Sequence, residues 1–208
     1  MKLVTSLTSP YGRKVRIVLA EKRVDCPLTI VSLPEDAEAV SEFNPLGKVP
    51  VLIMDDGKPL YDSSVIIDYL DHASPFSRLT PTDHRQMIRA RRWEALADGV
   101  TDATVLVVAE KRRPAKQQSA EWIARQQSKI NRGLAQLSAD LTDRRWCLGD
   151  AYSVADIAVG CMLGYLDLRM PELDWATAYP NLAELVVRLN ERPAFAETVY
   201  REAQPVAA

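Results

Sequence analysis

Asn44-Pro45-Leu46-Gly47-Lys48-Val49-Pro50-Val51-Leu52-Ile53-Met54-Asp55-Asp56-Gly57-Lys58-Pro59-Leu60-Tyr61 reads as a loop, a strand, a tight turn and a second strand. Asn, Pro and Gly crowd the first seven positions and break any regular element there. Val51 to Met54 and Pro59 to Tyr61 flank an Asp-Gly pair, which is the pattern of a hairpin. Working back from it, Glu35 to Phe43 is a short helix and Leu28-Thr29-Ile30-Val31 a strand. Pro10 to Arg23 is a helix with Val15, Val18 and Leu19 at i, i+3 and i+4, and Leu3 to Leu7 is the opening strand. Working forward, Ser64 to Asp71 is a helix with Val65, Ile66, Tyr69 and Leu70 on its inner face. The order βαβαββα predicts two parallel neighbours followed by an antiparallel pair, an α/β domain over residues 1–72.

Residues 73–84 hold Pro75 and Pro81 among small polar residues and read as a linker. Beyond it the strand signals stop. Arg85 to Arg113 is a long helix closed by Pro114, and Glu121 to Leu141 and Val154 to Arg169 are two more. Leu182 to Leu189 and Ala194 to Tyr200 are shorter, so residues 85–208 are expected to be all-helical. The 208 residues balance 26 Lys and Arg against 28 Asp and Glu, which argues against a chain built to hold nucleic acid. No apolar run approaches the ~20 residues of a bilayer span, and no secretory leader is read at the start. Cys26, Cys147 and Cys161 are an odd, scattered set that fits reduced thiols in a cytoplasmic protein. With His72 and His84 the sole histidines and no C-x-x-C, no metal is expected.

Three loops at strand ends carry the chemistry. Ser9-Pro10 is an ordinary helix start, a hydroxyl N-cap with proline at N1. A serine oxygen that accepts a backbone N–H still keeps its own proton, so the same residue can cap and also donate to a thiolate or oxyanion. The helix N-terminus behind it favours negative charge. Val49-Pro50 enters a strand, where proline lacks a ladder N–H. An ordinary trans bond accommodates it, and so does a cis bond that leaves the Val49 backbone free to pair with an extended ligand. Asp62-Ser63-Ser64 starts the next helix, with Ser63 read as its N-cap and the N-terminus as a second carboxylate seat.

Residues 1–72 resemble the thioredoxin-like N-terminal domain of the cytosolic glutathione S-transferases. Ser9-Pro10-Tyr11, Asn44 to Pro50 and Asp62-Ser63 stand at the family's positions and spacing, and the helical remainder fits the family's C-terminal domain. The likeness is to bacterial, serine-type members. It implies that Ser9 is catalytic and donates to the glutathione sulfur. Val49, before a cis Pro50, would pair with the cysteinyl part of the tripeptide. Asp62 and Ser63 would hold the γ-glutamyl end, and Lys48 would approach the glycyl carboxylate. Glutathione is then the co-substrate, a small electrophile is the second partner, and a homodimer is implied. Tyr11, Leu106, Glu110 and Arg113 would line the electrophile pocket.

Redox relatives have Cys-Pro-x-Cys where this chain has Ser9-Pro10-Tyr11-Gly12, so dithiol exchange is disfavoured. Tyr11 and Thr8 are rival thiolate donors. The activity implied is transfer of glutathione to a soft electrophile. A glutathione-dependent peroxidase or dehalogenase, or a non-catalytic glutathione-binding module, are the alternatives. In the helical part, Tyr152-Ser153-Val154-Ala155-Asp156-Ile157 reads as a capping box with an acid at N3, a folding element. The run Arg89 to Arg92 is read as a solvated or interface face of its helix, and the three cysteines as buried and inert.

Overall fold

The computed structural model describes residues 1–76 and 78–201. Its elements run β1 (Lys2–Thr5), α1 (Pro10–Glu21), β2 (Leu28–Ile30), α2 (Ala37–Ser41), β3 (Val51–Ile53), β4 (Pro59–Leu60) and α3 (Ser63–Ala73). Then follow α4 (His84–Arg112), α5 (Ala120–Leu141), α6 (Val154–Arg169), α7 (Trp175–Ala178), α8 (Pro180–Asn190) and α9 (Pro193–Glu197). The predicted βαβαββα order and all-helical remainder are both present. Sequence periodicity missed α7 and the 3-10 turn Ala115–Gln117, because three or four residues cannot show a repeat.

The sheet order is β2-β1-β3-β4, with β1 and β2 parallel and both other pairings antiparallel. Because side chains alternate across a strand, the register Val4↔Val51 and Leu3↔Leu52 sends one pair to each face. Val4 and Val51 join Val40 and Val49 in a cluster edged by Val31, Leu33 and Phe43. The helices α1 and α3 pack together and bury Val15, Ile17 and Val18 with Ile66, Ile67 and Leu70.

Two compact units result: Met1–Arg78 together with the segment from Arg192 on, and Leu79–Glu191. The sequence reading closed the first domain at 72 and gave the whole tail to the helical part. Long-range pairs account for the difference. Arg192 donates twice to the Glu21 carboxylate, at 2.8 and 2.9 Å, and Phe195 is buried where α9 packs on α1.

In the helical unit α4 packs on α5 and α6. Twelve of the sixteen residues of α6 are buried, so it is the core helix, apolar nearly all round. The predicted capping box is present. Ser153 Oγ accepts from Ala155 N–H, and Asp156 accepts from Ser153 N–H at 2.9 Å. Asp156 also accepts from Cys147 N–H at 2.8 Å, which ties the preceding loop to the helix.

Candidate active site

The register of the sheet gathers the three predicted loops at one end. With Val4 opposite Val51 and Leu52 opposite Leu60, carrying the pairing two residues beyond each ladder sets Ser6 level with Val49 and Pro50 level with Asp62. The starts of α1 and α3 therefore flank the entry to β3.

Ser9 caps α1 as expected: its Oγ accepts from Gly12 N–H at 3.0 Å, and Pro10 occupies the first turn. The Ser9 hydroxyl proton meets no acceptor among the described residues. No acidic residue stands in the first turn of α1 to cancel the positive end of the helix. The rival Thr8 is engaged otherwise, its hydroxyl lying 3.0 Å from the Ser6 hydroxyl. Gly12 is needed by close approach: a Cβ there would stand 2.1 Å from Thr5 Oγ1 and 3.2 Å from Ser9 Cβ. Tyr11 is half-buried, with Lys14 Nζ 5.9 Å from its ring centre.

The 44–50 loop is built by Asn44. Its buried amide donates to Lys48 C=O at 2.9 Å and accepts from Leu46 N–H at 3.1 Å. Gly47 sits at φ +59, the left-handed region where a side chain is strained. The Val49–Pro50 bond is cis. Val49 lies outside the ladder, only 9% exposed, and its N–H and C=O meet no hydrogen-bond partner among the described residues. Lys48 is exposed.

At α3 the cap is Asp62, not Ser63. Asp62 accepts from Ser64 N–H at 3.0 Å and from the Ser64 hydroxyl, and Ser63 becomes the first helical residue, buried. The carboxylate of aspartate reaches two residues ahead and captures the N–H that defines the cap. Burial pushes the Asp62 carboxyl up, but the Ser64 hydroxyl, the N–H groups of Ser64 and Val65 and the charge of Lys14 together hold it below its ordinary value. Lys14 is 2% exposed, and the sequence reading gave it no role. A lysine on the inner face of an amphipathic helix was the available signal. Arg13 instead turns toward Phe195 and Tyr200.

In the helical unit, Leu106 is 40% exposed on α4. Glu110 accepts from Ser119 N–H at 2.8 Å and from Arg113 at 3.2 Å, joining the end of α4 to the start of α5. The Ser119 bond, then Arg113, outweighs burial and keeps the Glu110 carboxyl below its ordinary value. Cys147 and Cys161 are buried and Cys26 is half-buried, which the sequence reading had also buried. Burial pushes the thiols of Cys26 and Cys147 up, so neither is a ready nucleophile. Among the described residues no cluster of His, Cys, Asp or Glu is placed to hold a metal ion.

Residues 3–86 match the family described as glutathione S-transferase, N-terminal domain, and residues 120–188 match glutathione S-transferase, C-terminal domain. A glutathione S-transferase structure from Methylobacillus flagellatus KT, with glutathione bound, is 53% identical. It superposes with a TM-score of 0.92 over 95% of this chain and 98% of its own. The uncharacterized GST-like protein YibF of Escherichia coli (strain K12) is 42% identical over 95% of this chain and 98% of its length. A maleylacetoacetate isomerase of Pseudomonas aeruginosa is 30% identical over 99% and 96%. The chain belongs to the glutathione S-transferase family.

Proposed function

We propose that the protein binds glutathione and uses Ser9 to hold its sulfur as the thiolate, which attacks a soft, hydrophobic electrophile. The carrying observation is the Ser9 hydroxyl: its oxygen caps α1 while its proton stays available at the positive end of the helix. Val49 offers one N–H and one C=O to the cysteinyl backbone in the manner of strand addition. The start of α3, with Ser63 and Asp62 and no acid in its first turn, receives the γ-glutamyl carboxylate. Asp62 faces the ligand amine, and the exposed Lys48 serves the glycyl end. Tyr11, Leu106, Glu110 and Arg113 are assigned to the electrophile. Glu110 and Arg113 act there as a pair, since each is already bound to the other.

The energetics suffice. A free thiol titrates near ~8.5, and lowering that by about two units takes roughly 2.7 kcal/mol. A charge-assisted hydrogen bond contributes about 1.5–3 kcal/mol and a helix N-terminus about 0.3–1 kcal/mol. In the transfer the sulfur lone pair forms the new C–S bond and the leaving group departs with its electron pair. Holding both reactants together supplies much of the rate.

Retention on immobilised glutathione and conjugation to a dinitrohalobenzene test the reading. The expectation is that Ser9→Ala still binds but loses about 10- to 100-fold in kcat/KM; equal activity in the variant would remove the serine mechanism. Binding with no turnover of any acceptor would make the protein a glutathione-binding module. A second reading, reversible thiolate addition that isomerises an activated double bond, is favoured by the similarity to the isomerase across nearly all of both chains. Glutathione is then not consumed, which stoichiometry reveals. A homodimer is part of the proposal. Tyr61, Val65 and Tyr69 of the first unit expose apolar surface for it to cover, and light scattering reads the mass. Three free thiols suit a cytoplasmic setting.

A further inference from the structure

Arg13 is one turn into α1 and donates its N–H to Ser9 C=O at 2.9 Å, the bond that closes the turn presenting Ser9. Its side chain is 5% exposed, yet no carboxylate among the described residues pairs with it. The guanidinium lies 4.7 Å from the Tyr200 ring centre and 5.5 Å from that of Phe195, and donates to Phe195 C=O at 3.3 Å. Nε has no partner among the described residues. Burying a cation this way is costly, and an apolar residue of similar volume is commonly as stable or more so. What the arginine does provide is a tie between the first turn of α1 and the segment that carries Phe195 and Tyr200.

The same C-terminal segment touches α1 along its length. Arg192 grips Glu21 at the far end of α1, about 18 Å from the start. Arg201 N–H reaches Leu7 C=O at 3.5 Å, two residues before Ser9. Three holds from one segment thus fix both ends of α1 and the turn that leads into it. Hydrogen bonding falls steeply with distance and angle, so small shifts of this turn change how Ser9 meets a sulfur.

We infer that the segment Arg192 to Arg201 sets the position of the Ser9 hydroxyl, with Arg13 and Tyr200 as positioning residues for the thiolate. The inference rests on the Ser9 reading above. Glutathione dissociation, thermal midpoint and ultraviolet titration of the bound thiol are measured for wild type, Ser9→Ala, Arg13→Met, Tyr200→Leu and Tyr200→Phe. Arg13→Met and Tyr200→Leu should lower the thiolate fraction near neutral pH about threefold. Glutathione affinity should stay within about twofold and the Arg13→Met midpoint should not fall. Tyr200→Phe keeps the ring face and should titrate as wild type, and Arg13→Met should add nothing in the Ser9→Ala background. Wild-type titration in both Arg13→Met and Tyr200→Leu, with Ser9→Ala altered, overturns the positioning role, as does a further loss in the double variant. Wild-type titration in Ser9→Ala overturns the Ser9 reading and the inference with it. Should Arg13→Met fail to fold, the Tyr200→Leu and Tyr200→Phe pair carries the same comparison.

Discussion

A single side chain here often serves two masters. Ser9 satisfies a helix N–H with its oxygen, and its proton meets no acceptor among the described residues. Asp62 accepts from Ser64 with one oxygen, and that bond, with the Lys14 charge, holds its carboxyl below its ordinary value against the pull of burial. Glu110 shows the consequence for pH. Its folded value lies below the ordinary 4.5, so its contribution is present above that value and is lost as pH falls through and below it. Glu110→Gln should therefore flatten the acid limb of stability below about pH 4.5, seen as midpoints that converge with wild type as the solution is acidified. A gap that widens on acidification would contradict the sign.

Helices and strands set how closely these residues meet. β1 and α1 approach so tightly at Gly12 that any Cβ collides with Thr5 Oγ1. Thr5 is fully buried and cannot swing away freely. Gly12→Ala should cost about 1–3 kcal/mol by overpacking and displace Ser9, so conjugation falls more than glutathione retention does. At the other end of α1, Lys22 meets the Asp71 carboxylate at 2.6 Å with both side chains fully buried. Lys22 also donates to Phe76 C=O, and Arg78 adds a second contact to Asp71. Lys22→Met leaves the Asp71 charge buried without its nearest partner and should cost about 3–5 kcal/mol in denaturant unfolding. Periodicity gave no warning of this pair. Lys22 looks like a solvated helix end, and Asp71 lies 49 positions away.

At the scale of the whole molecule, the tail from Arg192 belongs to the first unit. Phe195 is 1% exposed there. Phe195→Ala should cost about 3–5 kcal/mol and speed hydrogen exchange through α1, while α6, buried in the other unit, keeps its protection. Equal loosening of both helices would count against the division. Among the described residues no helix is long and apolar enough to cross a membrane.

What the amino-acid order determined by itself was local: the βαβαββα succession, the hairpin at Asp55–Lys58, the caps at Ser9 and Ser153, and the loop that ends at Pro50. Each depends on neighbours a few residues away, whose turn preferences and apolar spacing can be read directly. Tertiary structure decided which of those pieces meet. It moved the cap of α3 from Ser63 to Asp62, buried Lys14 beside that cap, turned Arg13 onto Tyr200, and returned residues 192–201 to the first unit. These are burial and charge pairings between residues distant in the chain, settled only when the sheet register and helix packing bring them together.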